Sequence, residues 1–263
     1  MNNPESVSPS IDFETAAHKN FETNLGRLGA LLKVMTRDIE RLTMSLKKNT
    51  TRQMSNLANV GGLPAADTKR LHRAVSKLGD TVTKYLDQIG IYVQAHGLVY
   101  DWAAVMLVTF LEAYMEEGLV ELARKNPKLL RDIGTFDWKR VFEIDSIEEL
   151  RAELRRQWAQ VMLRPGGTQT WVEQLEKLGA KGFNEKSTHQ VQHLWDTRNL
   201  IVHAQGVAGA AYVKKYPNSP LKVGGRVSAS SSQFKIWISA ADDLVTSTEQ
   251  FFLRYKISAN QRA

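Results

Sequence analysis

The sequence predicts an all-α protein in which an N-terminal helical hairpin precedes a helical bundle. Three observations lead to this fold class. Apolar residues recur at alternating spacings of four and three near the N-terminus. A second stretch of the same kind follows a break rich in glycine. A long segment beginning near residue 98 is apolar on most of its sides, as expected for a buried helix.

The two apolar stripes predict a pair of heptad helices. The sequence Gly61-Gly62-Leu63-Pro64 between them is a turn signal. We therefore expect residues 13–97 to form an antiparallel, coiled-coil-like hairpin after a disordered tail at 1–12, although two arms of an intermolecular coiled coil would give the same pattern. The stripes consist of Phe21, Leu25, Leu28, Leu32, Met35, Ile39, Leu42 and Leu46, then Leu71, Val75, Leu78, Val82, Tyr85 and Ile89.

The second domain is predicted to span residues 98–257. Gly90 and Gly97 are expected to bend or end the preceding helix, and Leu98–Lys125 to form the most buried helix of the domain. The stretch Asp145–Glu149 resembles a helix N-cap, and the helix it begins is expected to end near Leu163. A helix from Thr168 to Lys177 or Leu178 and the helix described below follow. Two short strands at 223–228 and 233–238 would pair as a small β-hairpin, and the last helix covers Ala240–Tyr255.

Composition and charge limit the classes of function. The chain has 263 residues, a net charge of +7 and no cysteine, which excludes disulfides and thiolate chemistry. Residues 204–263 carry 8 basic and 3 acidic side chains. This segment suits a polyanion such as RNA, or it is ordinary solubilising charge.

Two features predict a cytoplasmic protein that makes no membrane contact. The segment Met1–Ser10 is polar and lacks the apolar stretch of a signal peptide. The most apolar run, Trp102–Leu111, is too short to cross a bilayer.

The segment 189–203 is predicted to be a helix with an apolar stripe beside a polar one. The apolar stripe holds Val191, Leu194, Trp195, Ile201 and Val202, and the polar stripe holds His189, Gln192, Asp196, Asn199 and His203. Arg198 projects from the apolar side, where a cation needs a partner. Arg198, Asn199 and His203 together could bind a phosphodiester and move a proton, or they belong to an ordinary packed helix.

Glu112 is embedded in the buried helix 98–125 and is the expected partner of Arg198. It either orients the guanidinium towards a substrate or forms an internal ion pair that only fixes two helices. The residues leave both alternatives open.

The box Arg198-Asn-Leu-Ile-Val-His203, with the small-residue segment 204–211 and Tyr212 after it, resembles the Arg-polar-x3-His motif of the HEPN superfamily. These are small α-helical domains, many of them metal-independent RNases in toxins and anti-phage systems. The stretch 107–114 around Glu112 resembles their first helix, and the segment from Lys222 to Tyr255 resembles their C-terminal end. The resemblance covers about residues 98–257 and is specific at the Arg-Asn-x3-His box.

The resemblance implies an endoribonuclease that acts as a toxin or an anti-phage (abortive infection) effector. His203 would serve as general base or acid, Arg198 would hold the scissile phosphate, and Asn199 would orient the substrate or His203, with Asp196 and Glu112 in support. No metal or cofactor would be needed, and the product would be a 2′,3′-cyclic phosphate. Relatives dimerise with their two boxes face to face. Those regulated by a nucleotidyltransferase antitoxin carry a tyrosine where this chain has Gln205.

Several further expectations concern partners. Tyr212, Lys214 and Lys215 lie in a basic, aromatic-flanked loop that could contact RNA, or that is an ordinary exposed connection. His189 and His193 are four residues apart, but nothing around them supports a metal site. The alternative to an enzyme is a catalytically inactive scaffold that binds RNA, or a protein partner through residues 13–97.

Overall fold

The structure is a computed structural model that describes residues 15–58, 68–132, 138–164 and 167–260. Within these ranges the chain is helical without β-strands, which confirms the all-α class. The helices are α1 (Ala16–Ala58), α2 (Thr68–Lys125), α3 (Trp138–Phe142), α4 (Ile147–Leu163), α5 (Thr168–Lys177), α6 (Glu185–His203), α7 (Ala210–Lys215) and α8 (Ser231–Asn260), with a 3-10 turn at Pro127–Asp132. The predicted tail at 1–12 and turn at 61–64 lie outside the described residues.

Helix α2 continues through the glycines at which the sequence predicted a bend or an end. Close packing explains the glycine at position 97, because an added Cβ would lie only 2.9 Å from Ser228 Oγ. Glycine at this position lets the loop before α8 approach the helix, and the residues on both sides of it remain helical. The prediction of a helix boundary at residue 97 is therefore wrong.

The C-terminal half of α2 is the centre of the hydrophobic core, as predicted. Ala103, Ala104, Leu107, Leu111 and Leu119 are all almost fully buried. Trp102 departs from the prediction, because 45% of its surface is exposed.

Helix α1 packs against α2 and shares its core. Three residues of the first apolar stripe, Phe21, Leu28 and Leu32, are buried, and the Phe21 ring lies 5.8 Å from that of Tyr114. Nothing is described of the side chains of the second stripe. The division of the chain into two domains at residue 97 stays a prediction.

A buried carboxylate links α1, α2 and α8. Glu249 accepts hydrogen bonds from Thr15 N at 2.7 Å, Thr15 Oγ1 at 2.9 Å and the Tyr114 hydroxyl at 3.1 Å. Burial, followed by the Glu249 charge, raises the pKa of Tyr114 well above its usual value, so the phenol stays a donor.

The start of α4 confirms the cap read from the sequence. Ser146 is the N-cap, and its side chain accepts a hydrogen bond from Glu149 N at 3.1 Å. The end of α4 is joined to α5, because Trp171 Nε1 donates to Leu163 O at 2.7 Å. Helix α5 then packs on α6.

The predicted C-terminal β-hairpin is wrong. Residues 233–238 belong to α8, and the nearest β feature is one isolated antiparallel bridge between Val207 and Arg226. Phe234, Trp237 and Ala241 are buried at helical spacings, so burial of one helical face prevailed over the strand propensity of this short segment. The four residues of α8 predicted to face inward are all buried: Leu244, Val245, Phe251 and Phe252.

The segment Gly97–Lys125 is long and apolar enough to cross a membrane by length and composition. Half of the most apolar part of this segment is buried within the protein. Core helices of soluble proteins meet the same criterion, and this segment contributes the central residues of the core.

Candidate functional site

Helix α6 carries the Arg198-Asn-x3-His203 box along its last two turns. The helix begins at an Asn184 cap, whose Oδ1 accepts hydrogen bonds from the backbone of Lys186 and Ser187. It remains helical to His203. Arg198 and His203 therefore leave the helix about 140° apart.

Arg198 is half-buried where α6 packs against α2 and α5. Its Nη1 donates a hydrogen bond to Asn199 Oδ1 at 3.0 Å, and its guanidinium carbon lies 5.8 Å from the centre of the Trp195 ring. Its Nε is buried, and no hydrogen-bond partner for it exists in the described part of the chain. A buried donor without a partner is costly, so an anion that reached this atom would gain a charge-assisted hydrogen bond.

Glu112 faces Arg198 electrostatically but is not bound to it. Burial raises the pKa of Glu112, the Arg198 charge lowers it to a lesser extent, and Glu116 adds a further increase. No ion pair joins Glu112 and Arg198 in the structure as described. The two charges attract one another across the α2/α6 contact.

His203 is exposed on the last turn of α6, and nothing in the described ranges hydrogen-bonds to its ring. The chain reverses directly after it. Leu200 O accepts hydrogen bonds from Ala204 N at 2.9 Å and Gly206 N at 2.7 Å. Val202, predicted on the apolar stripe, is 48% exposed.

The opposite side of α6 holds a closed polar network with Asp196 at its centre. Asp196 accepts hydrogen bonds from Gln192 Nε2 at 3.1 Å and the Tyr216 hydroxyl at 2.5 Å, and it pairs with Lys215 Nζ at 2.6 Å. Gln192 in turn accepts a hydrogen bond from Gln169 N at 3.0 Å. Burial, followed by the bond to Asp196, raises the pKa of Tyr216, so the phenol remains protonated.

The predicted RNA-contact loop contains the short helix α7, which packs on this network. Tyr212 is 8% exposed, and its hydroxyl lies 2.9 Å from His193 Nε2 and 3.0 Å from Thr197 Oγ1. Tyr212 is thus an interior residue rather than part of an exposed loop. Lys214 and Lys215 are exposed, but Lys215 is engaged by Asp196.

His193 belongs to an aromatic cluster and not to a metal site. Its ring lies 4.4 Å from that of Tyr216 and 5.5 Å from that of Trp237. Burial lowers the pKa of His193, which favours the neutral ring. Among the described residues, no group of three or more His, Asp or Glu side chains could hold a metal ion.

The sequence interpretation missed Trp195, Gln192 and Tyr216 as determinants of the site. Trp195 lies under Arg198 and packs edge-on against Trp171 at 4.8 Å. A signal for this packing was the glycine before α5: a Cβ at Gly167 would lie 2.9 Å from Trp195 and 2.8 Å from Gln192.

Comparison of the chain with protein-family models, with curated proteins and with solved structures finds no match.

Proposed function

We propose that this protein is a metal-independent endoribonuclease of HEPN type, acting in the cytoplasm as a toxin or as an effector of abortive anti-phage defence. The observation that carries the proposal is the state of Arg198. A half-buried cation is held in place by Asn199 and Trp195, while one of its buried donors remains unpaired. Such a donor suits a phosphate oxygen, which guanidinium groups bind through charge-assisted hydrogen bonds.

His203 supplies the proton-transfer group of the proposed reaction. The exposed imidazole takes the proton of a ribose 2′-hydroxyl, and the resulting oxygen attacks the adjacent phosphorus. The bond from phosphorus to the 5′-oxygen breaks, that oxygen takes up a proton from solvent, the His203 imidazolium returns its proton to solvent, and a 2′,3′-cyclic phosphate remains. Arg198 stabilises the charge on the phosphate oxygens in the transition state.

The direction of the two side chains favours a composite site in a homodimer. Because Arg198 and His203 diverge by about 140° on one helix, the proposal places His203 of one protomer beside Arg198 of its partner. The exposed Val202 between them supplies apolar surface for such a contact. The HEPN-like arrangement of α2, α6 and α8, and an α1/α2 hairpin as a partner-binding element, are parts of the same proposal.

The test is cleavage of RNA by the purified full chain in the presence of EDTA. We expect Arg198→Ala and His203→Ala each to reduce the rate by at least about 100-fold, the usual effect of losing one transition-state donor or proton-transfer group. Arg254→Ala and His189→Ala are matched controls, since Arg254 bonds only within its own helix turn and His189 is exposed on α6. Equal activity of all variants would contradict the proposal.

A mixing experiment tests the composite site. When inactive Arg198→Ala and His203→Ala proteins are combined, half of the dimers are mixed, and each mixed dimer has one intact site if the two residues act across the interface. Activity should then return to roughly one quarter of the wild-type value. If each protomer uses its own pair, mixing restores nothing.

A second candidate function is a catalytically inactive scaffold. It is favoured by three large apolar side chains that α1 leaves exposed: Leu31, Val34 and Met44. This candidate predicts that wild-type protein binds RNA or a protein partner without cleaving RNA, and that Arg198→Ala leaves RNA chains as intact as wild type does.

A further inference from the structure

A cleft of about 320 Å³ lies between α2 and the end of α6, next to the Arg198–His203 box. Its apolar wall is formed by Leu98, Trp102, Val105 and Ile201, and its polar rim by Asp101, Gln205 and Arg226. Ile201 and Gln205 flank His203 in the chain, and Ile201 lies one turn after Arg198. The cleft therefore begins one helical turn from Arg198, and two of its lining residues bracket His203 in the chain.

Two of the cleft residues are large apolar side chains that the fold leaves open to solvent. Trp102 is 45% exposed and Leu98 is 59% exposed, although both belong to the helix that forms the core. An exposed indole in an apolar recess is a typical stacking surface for an unpaired base. The cleft is at the lower end of small-ligand sites, roughly 300–1,000 Å³, so it suits one base rather than a helix of a partner protein.

Gln205, at the rim of the cleft, has an unusual backbone conformation. Its φ is 52°, a left-handed conformation that residues other than glycine rarely adopt, and Gly206 follows with φ of 77°. Glycine would take the same backbone conformation without strain. Gln205 lines the cleft, and its side-chain amide is able both to donate and to accept hydrogen bonds.

The polar side of the cleft carries one cation and one buried carboxylate, Arg226 and Asp101, whose charges interact. The Arg226 side chain is exposed and lines the cleft, and its backbone is fixed by the bridge to Val207. The buried Asp101 accepts a hydrogen bond from Ala229 N at 2.7 Å, which holds the loop that carries Arg226. A cation at the edge of an apolar recess complements a base that is attached to a phosphate backbone.

We infer that this cleft is a base-binding subsite for single-stranded RNA, in which an unpaired base stacks on Trp102 and its edge is read by the Gln205 amide. Arg226 contacts the phosphate of the bound nucleotide. This inference rests on the proposed function, since it assigns the nucleotide next to the scissile phosphate. It also makes the substrate class specific: an RNA strand whose base is free to leave a stack.

The experiment measures binding of a short 2′-O-methyl RNA by fluorescence anisotropy, with one position changed among the four bases and an abasic site. The probe lacks the attacking hydroxyl, so binding is independent of cleavage. We expect Trp102→Ala to weaken binding about 5- to 100-fold, the loss of one base stack. Phe142→Ala is the control, because Phe142 is an 87% exposed aromatic on α3.

Gln205→Gly is the second variant, and it removes the amide while relieving the backbone strain. It should fold at least as well as wild type, retain overall affinity within a few-fold, and lose the discrimination among the four bases. The abasic probe should bind wild type as weakly as the base-containing probe binds Trp102→Ala.

Three outcomes overturn the subsite. One is wild-type affinity in Trp102→Ala or for the abasic probe; another is failure of wild type to bind any probe. The third is a change from dimer to monomer in Trp102→Ala by sedimentation, which would show that a second copy covers the cleft. If base binding behaves as expected but Arg198→Ala and His203→Ala leave unmodified RNA cleavage unchanged, the subsite stands and the nuclease proposal fails.

Discussion

The two sides of α6 differ in how far their polar groups are satisfied. On the Asp196 side, the carboxylate holds Gln192, Tyr216 and Lys215 at 3.1 Å or less, and Tyr212 is bonded to His193 and Thr197. On the Arg198 side, a buried Nε is unpaired and an acid lies near without forming an ion pair.

This difference distinguishes polar groups that stabilise the fold from polar groups that are able to bind a ligand. A closed network has little to offer a ligand, because each donor already has an acceptor, and its loss costs stability. A cation with an unpaired buried donor costs stability in the free protein, and a ligand that supplied the missing acceptor would offset that cost. Titratable residues are present on both sides, so their presence alone would not distinguish the two.

The largest expected effect is that of Arg198→Lys on catalysis. Lysine retains the charge but lacks the planar group that contacts Trp195 and Asn199, so the rate of RNA cleavage should fall by about 100-fold. The free energy of unfolding should change by less than about 1 kcal/mol, since the substituted group is only half-buried. Cleavage kinetics and urea unfolding measure the two. A lysine variant with wild-type activity would show that only charge is needed on this side.

Asp196→Ala should reduce stability while leaving RNA cleavage largely unchanged, the reverse of Arg198→Lys. Removing the carboxylate leaves the Tyr216 hydroxyl and Gln192 Nε2 without their acceptor, which should cost about 2 kcal/mol of stability in urea unfolding. Asp242→Ala, at an exposed position on α8, should cost less than about 0.5 kcal/mol. Cleavage per folded molecule should stay within a few-fold of wild type. A loss as large as that in the Arg198 variants would place Asp196 in the site, as the sequence had suggested.

The sequence predicted elements whose determinants are local. The Ser146 cap, the span of α5 and the position of α6 depend on residues within one or two turns, and the structure agrees at each. The β-hairpin failed because residues 233–238 are also compatible with a helix whose buried face is defined by later residues of α8. A short apolar stretch fits both the helical repeat of 3.6 residues and the strand repeat of two.

The residues of the candidate site could be proposed from the sequence, but their contacts and their burial could not. The residues Arg198, Asn199 and His203 are contiguous, so a motif reveals them. Whether Arg198 pairs with Glu112, or whether Trp102 is covered, depends on how closely α2, α6 and the loop before α8 approach one another. Those distances are set by packing between residues far apart in the sequence, such as Gly97 and Ser228, which are 131 positions apart. No local pattern encodes them.

The smallest expected effect, and the one that tests the Arg198 side most directly, is that of Glu112→Gln. Burial raises the pKa of Glu112, so the folded state binds its proton more tightly than the unfolded state does. Wild type therefore loses stability as the pH rises from about 4.5 through the raised pKa, because the unfolded chain ionises first. Glutamine does not titrate, so the variant should be more stable than wild type at pH 7 and equal to it near pH 4.

Thermal unfolding at the two pH values gives this difference, with Glu173→Gln on the exposed face of α5 as the control. Removing the negative charge should also strengthen RNA binding a few-fold at low salt, because Glu112 then no longer competes for the Arg198 charge. A variant that is less stable at pH 7 and binds RNA more weakly would mean that Glu112 supports the guanidinium after all. The Arg198 side would then be a closed ion pair like the Asp196 side, and the contrast between the two faces of α6 would disappear.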